Sequence, residues 1–144
     1  MPNGDYERDF YAWSNEQARL LRDGQIAQAD VAHIAEEIES MGRTEKRELV
    51  SRLTVLLAHL LKWQFQPAKR GNSWRHSIAN SRDQLGDHLD DNPSLKSKLD
   101  ESVAAAFRYA RRAASDETGL DDAAFPATCP WPFAQLMDEA FWPD

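Results

Sequence analysis

The sequence predicts an all-α protein: a single-domain helical bundle of four to five main helices with a proline-rich, ordered C-terminal tail. Three observations predict it. Good helix formers (Ala, Leu, Glu, Arg, Gln) are abundant and β-branched residues are few. Apolar residues recur at spacings of three and four in one segment after another, and no stretch alternates apolar and polar long enough for a strand. The 144 residues suit one domain with a self-sufficient core, expected over about residues 6–137.

The first helix is expected from Tyr6 to Arg22, with Tyr6, Phe10, Trp13, Gln17 and Leu20 in one stripe. Gly24 should end it, because left-handed backbone costs glycine nothing. The second helix should start near Asp30, a good N-cap, with Val31, Ile34, Ile38 and Met41 as its apolar face. Gly42 interrupts the pattern and Thr44 is placed to cap a restart. The sequence leaves open whether the helix breaks there or runs on to about Gln66. From Leu49 the leucines at 49, 53, 56, 57, 60 and 61 form an arc wide enough for two neighbours, which marks a central helix. Pro67 ends it.

After the loop "PAKRGN", Ser73 is expected to cap a fourth helix carrying Trp74, Ile78, Ser81, Leu85 and Leu89 in one stripe. "DDNPS" is the next break, with Asn92 as N-cap and Pro93 at the first helical position. The fifth helix should present Leu95, Leu99, Val103, Ala106, Ala110 and Ala113 inward as far as about Ser115, and "TGL" should stop it. The tail holds one short helix from Pro132 to Met137 and the packing aromatics Trp131, Phe133 and Phe141. "AFWPD" at Ala140–Asp144 is a candidate exposed aromatic cluster.

The formal net charge of −7 is uneven. Between Arg43 and Arg82 lie nine Lys/Arg and two Glu, whereas the remainder has eight Lys/Arg and twenty-two Asp/Glu. A basic middle between acidic ends fits an anionic partner, or the chain's own acidic helices packing beside basic ones. The overall acidity speaks against a nucleic-acid partner, since it repels polyanions at long range. The single cysteine, Cys129, excludes an internal disulfide and a thiolate metal cluster, and reads as a small loop residue. "MPNGDYERDF" has no apolar run of the signal-peptide kind, and no stretch approaches a membrane span. A cytoplasmic location without membrane contact is the expectation.

Seven ordered stretches carry a resemblance: "DFYAW", "AEEIESMG", "EKREL", "HLLKWQFQP", "SWRHSI", "PSLK" and "CPW". Together, from Tyr6 to Leu136, they resemble the bacterial domain-of-unknown-function family numbered twenty-nine. The resemblance implies an all-helical fold and brings no catalytic residue with it.

Candidate chemistry therefore rests on the residues themselves. Glu37 lies at the edge of the Ile34/Ile38 stripe, about 80° from its centre, and is able to turn inward, with His33 one turn before it. His59 lies on a polar face of the leucine helix with Lys62, Trp63 and Gln66. If that face meets the second helix, Glu37 and His59 would form one buried polar pair, usable for acid–base work. With His33 or His88 they would give a weak metal set, but no second Glu/His motif accompanies them. His88 reads as core edge. In "KWQFQPAKRGNSWRHS" the two tryptophans read as core, which leaves Lys69, Arg70 and Arg75 near a helix N-terminus as a candidate anion site. No Walker loop, dinucleotide fingerprint, nucleophile elbow or zincin motif is present, and nothing argues for a cofactor. The leading expectation is a binding or protein-interaction module, acting on an unknown partner or as a homodimer. The alternatives are a bundle enzyme or metalloprotein using His59 and Glu37, and nucleic-acid or anion binding through residues 43–82.

Overall fold

A computed structural model describes residues 2–144, with side chains from Asp5 onward. Six α-helices follow in order: α1 (Pro2–Arg8), α2 (Phe10–Arg22), α3 (Val31–Phe65), α4 (Asn72–Asp91), α5 (Leu99–Thr118) and α6 (Phe133–Met137), with short 3₁₀ turns between them and no strand among the described residues. The fold is all-α. The chain divides into two compact units, residues 1–44 and 45–144.

In the first unit the expected single helix is two. Asp9 leaves helical geometry and its carboxylate accepts from the Ala12 N–H, so it caps α2 where the stripe alone predicted continuity. At the other end Gly24 has φ of 73°, and two crossed bonds, Gly24 N–H to Leu21 O and Gln25 N–H to Leu20 O, close a Schellman motif. Trp13, Gln17 and Leu20 are buried as the stripe predicts. The expected apolar face of α3 is not: Val31, Ile38 and Met41 are 58%, 58% and 62% exposed. The reason is which side of α3 is covered. Tyr6 stacks on His33 and bonds Glu37, and Trp13 bonds Asp30. His33 and Glu37 lie more than about 100° round the helix from the Val31–Ile38 line.

The helix α3 runs unbroken through Gly42. A mid-helix glycine costs only about 1 kcal/mol, and good helix formers surround it. The Thr44 hydroxyl donates to the Ser40 carbonyl one turn back and caps nothing.

In the second unit the leucine arc behaves as expected: Leu49, Leu53, Leu56, Leu57, Leu60 and Leu61 are fully buried. Ile78, Leu85 and Leu89 of α4 and Ala106, Phe107, Ala110 and Ala114 of α5 join the same core. Two boundaries shift. Gly71, not Ser73, is the N-cap of α4. Pro93–Lys98 forms a 3₁₀ segment before α5 begins at Leu99. Gly119, with φ of 76°, terminates α5 as "TGL" predicts. The tail closes over this core. Trp131 and Leu136 are buried, and Phe133, Phe141 and Trp142 pack partly buried against it. The terminal aromatics are thus not an exposed cluster, because Arg82 and Arg70 hold the last residues down by their backbone carbonyls.

Candidate functional site

The Glu37–His59 pair does not form. Both residues lie on the one helix α3, 22 positions apart, a rise of about 33 Å. The pairing required a break near Gly42 that the helix does not make. Each has its own partner. The Glu37 carboxylate accepts from the Tyr6 hydroxyl at 2.6 Å, which pushes the Tyr6 pKa up to about 12. The Nδ1 of His59 bonds the Val55 carbonyl at 2.8 Å, one turn back on its own helix. Burial pulls the His59 pKa below its ordinary value, against the effect of that bond, and Lys62 adds to the lowering.

The weak metal set fails for the same reason. Instead, His33 Nδ1 meets Asp30 Oδ2 at 2.7 Å. Burial works to raise the Asp30 pKa, but hydrogen bonds from His33 and Trp13 outweigh it and hold it low.

The other polar-face residues are structural. Lys62 is buried, its ammonium 2.9 Å from Glu117 and 5.4 Å from the Trp74 ring centre. Trp63 is buried against Trp142, with the guanidinium groups of Arg70 and Arg75 at 5.1 and 5.2 Å from its ring centre. Gln66 is half-buried at the N-cap of the turn Pro67–Lys69, without a side-chain cap bond.

The proposed anion site is divided in the same way. Arg70 donates to the Trp63 carbonyl at 2.7 Å and to the Pro143 carbonyl at 3.3 Å. Arg75 donates to Asn72 Oδ1, and Lys69 is exposed. Arg82, the last residue of the basic segment, is 4% exposed and donates to the carbonyls of Leu136 and Phe141 at 2.7 and 2.8 Å, with Trp142 5.5 Å from its guanidinium. Burial lowers its pKa, and Asp138 and Glu139 act the other way. Lys46 pairs with Glu101 and Arg52 with Glu48. The basic middle is therefore largely committed to the chain's own carboxylates, carbonyls and rings.

A family model described as "Domain of unknown function DUF29" matches residues 6–142. The chain belongs to the DUF29 family. No curated protein and no solved structure matches this DUF29 chain. Among its described residues, no helix is long and apolar enough to cross a membrane.

Two features of this DUF29 chain escaped the sequence reading. The first is the concentration of exposed large hydrophobics in the N-terminal unit. Of nine exposed large hydrophobics among the described residues, seven lie within residues 1–44: Phe10, Tyr11, Leu21, Ile26, Val31, Ile38 and Met41. The second is a groove of about 440 Å³ in the other unit, lined by Glu45, Glu48, Arg52, Gln84, Asp87, His88, Asp91 and Asn92. There His88 is buried and its Nε2 meets the Glu45 carbonyl at 2.9 Å. The Glu45-x-x-Glu48 spacing in "EKREL" was the available signal, since residues three apart share a helix face. The sequence could not say that α4 brings His88 to that face.

The Cys129 thiol is half-buried, bonds the Trp131 carbonyl, and has its pKa raised by burial.

Proposed function

We propose that the protein is a binding module whose N-terminal unit docks another protein through the α3 face of Val31, Ile38 and Met41. One observation carries this reading. Seven of nine exposed large hydrophobics fall in residues 1–44, whereas the remaining 100 residues expose Val55 and Tyr109 alone among those described. Scattered apolar residues are ordinary on a surface, but Val31, Ile38 and Met41 lie within about 80° of one another on α3, and a helix face that concentrates them marks a contact.

The partner's chemistry follows from the charge. Residues 1–44 contain four Lys/Arg and nine Asp/Glu, a net −5, and Glu39 borders the stripe on α3. A second copy would bring −5 against −5. A partner helix with an apolar ridge bordered by Lys or Arg complements the face in both respects, and charge complementarity of this kind governs encounter and rejects wrong partners. Arg52, Arg70, Arg75 and Arg82, engaged within their own unit, favour this reading over anion binding.

The test is capture from an extract of the protein's own host, comparing wild type with the double variant Val31→Asp/Ile38→Asp. Both positions are exposed, so the variant should fold, which circular dichroism checks. Proteins that wild type retains, the variant loses, and 0.5 M salt weakens would support the reading. Identical capture by both proteins overturns it. A concentration-dependent dimer in light scattering, abolished by the same variant, would give the face to a second copy instead.

A further inference from the structure

We infer that Glu45, Glu48 and His88 form a binding site for one divalent transition-metal ion of the zinc type, between the start of the second unit's α3 segment and the end of α4. One donor atom from each of these side chains lies within 4.8 Å of the others. The inference is independent of the docking face.

The imidazole is set up as a ligand. His88 is 8% exposed, and its Nε2 lies 2.9 Å from the Glu45 backbone carbonyl. A carbonyl only accepts, so Nε2 carries the proton, and in the neutral ring Nδ1 holds the lone pair. A metal-ligating histidine is arranged in this way, its second nitrogen tied to a backbone carbonyl that fixes tautomer and ring orientation. Nδ1 is 4.0 Å from Glu48 Oε2, beyond hydrogen-bond reach. Two ligands at about 2.1 Å from a tetrahedral ion stand roughly 3.4 Å apart, so an ion between them needs only a small adjustment.

Glu48 is also held ready. Its Oε1 accepts from both Nε and an NH2 of Arg52, at 3.1 and 2.6 Å, which immobilises the carboxylate and leaves Oε2 toward the imidazole. Glu45 Oε2 stands 3.7 Å from His88 Nε2 on a half-exposed side chain and reaches the ion by rotation. Asp87 and Asp91 line the same groove, and Arg52 is its one cation. Four carboxylates against one guanidinium favour a dication. The imidazole nitrogen selects a borderline ion over calcium or magnesium, which prefer all-oxygen sets. The groove leaves room for water at the remaining positions.

Without a metal, the same three groups would be no more than a buried histidine satisfied by a backbone carbonyl, with two carboxylates beside it. Titration of EDTA-stripped full-length protein with ZnCl2 by calorimetry separates the two readings, with the visible bands of Co2+ as a report on coordination. The expected result is one ion per chain and nitrogen–oxygen ligation in the Co2+ spectrum. His88→Gln should weaken binding at least about tenfold, as should Glu45→Gln. The second variant touches neither the core nor the Arg52–Glu48 pair, so it decides the matter if His88→Gln fails to fold. Absence of saturable 1:1 binding, or binding that Glu45→Gln leaves unchanged, overturns the inference.

Discussion

Replacing Arg82 with Met tests how the tail is held. Arg82 is 4% exposed and donates two charge-assisted hydrogen bonds, to the carbonyls of Leu136 and Phe141. Each such bond contributes about 1.5–3 kcal/mol, so losing both removes roughly 3–6 kcal/mol. The contact with Trp142 adds about 0.5–1 kcal/mol. Met fills most of the volume and spares the desolvation of a guanidinium, which returns part of this. The net loss should be about 3–4 kcal/mol, a large share of the roughly 5–15 kcal/mol available to a domain. Urea unfolding followed by tryptophan emission reads it, because Trp131 and Trp142 sit at the tail contact. Limited proteolysis should also cut the variant first after Phe133. Arg82→Lys should fall between, since an ammonium cannot span both carbonyls in a fixed fork. A loss under about 1 kcal/mol with the tail still protected would refute the reasoning, and would mean that Trp131, Leu136 and Trp142 hold the tail by apolar contact alone.

Two further outcomes are expected. Gly119→Ala should cost about 1–2 kcal/mol in the same urea assay: its φ of 76° disfavours any Cβ, and no atom within 4 Å adds a clash. The Tyr6 phenol should ionise near pH 12, above its ordinary value of 10, because its hydroxyl donates a hydrogen bond to the Glu37 carboxylate; ultraviolet titration of wild type against Tyr6→Phe should show the late step disappear. The raised value fixes the sign: the stabilisation is complete below pH 10 and is lost as pH rises through about 12, so thermal melts of the two proteins should converge at the alkaline end.

Much of the helical framework was legible in the residues. The six leucines of α3 declared a central helix, because only an element with neighbours on two sides can cover so wide an arc. Gly24 and Gly119 marked their stops, because both positions take left-handed backbone. The break at Asp9 was missed because its cap works through a side chain within a continuous apolar stripe. The candidate site was less legible. Periodicity assigned Glu37 and His59 to helix faces, but whether the faces could meet turned on one glycine whose helical cost is small. The arginines looked like a surface patch because a sequence does not show which backbone carbonyls lack partners. In the fold those carbonyls belong to Trp63 at the end of α3 and to the tail, and Arg70 and Arg82 satisfy them.

The sequence by itself determined the all-α class, the buried leucine and alanine faces, most helix ends and the DUF29 membership. These follow from local propensity, spacing and ordered motifs, all of which are written within a few residues of one another. The tertiary structure alone decided that Val31, Ile38 and Met41 stay exposed, that the terminal aromatics are clamped, and that Glu45, Glu48 and His88 converge. Each of these depends on which side of a helix finds a neighbour. Hydrophobic burial is non-directional, so an apolar stripe states that a face can be covered and leaves open what covers it.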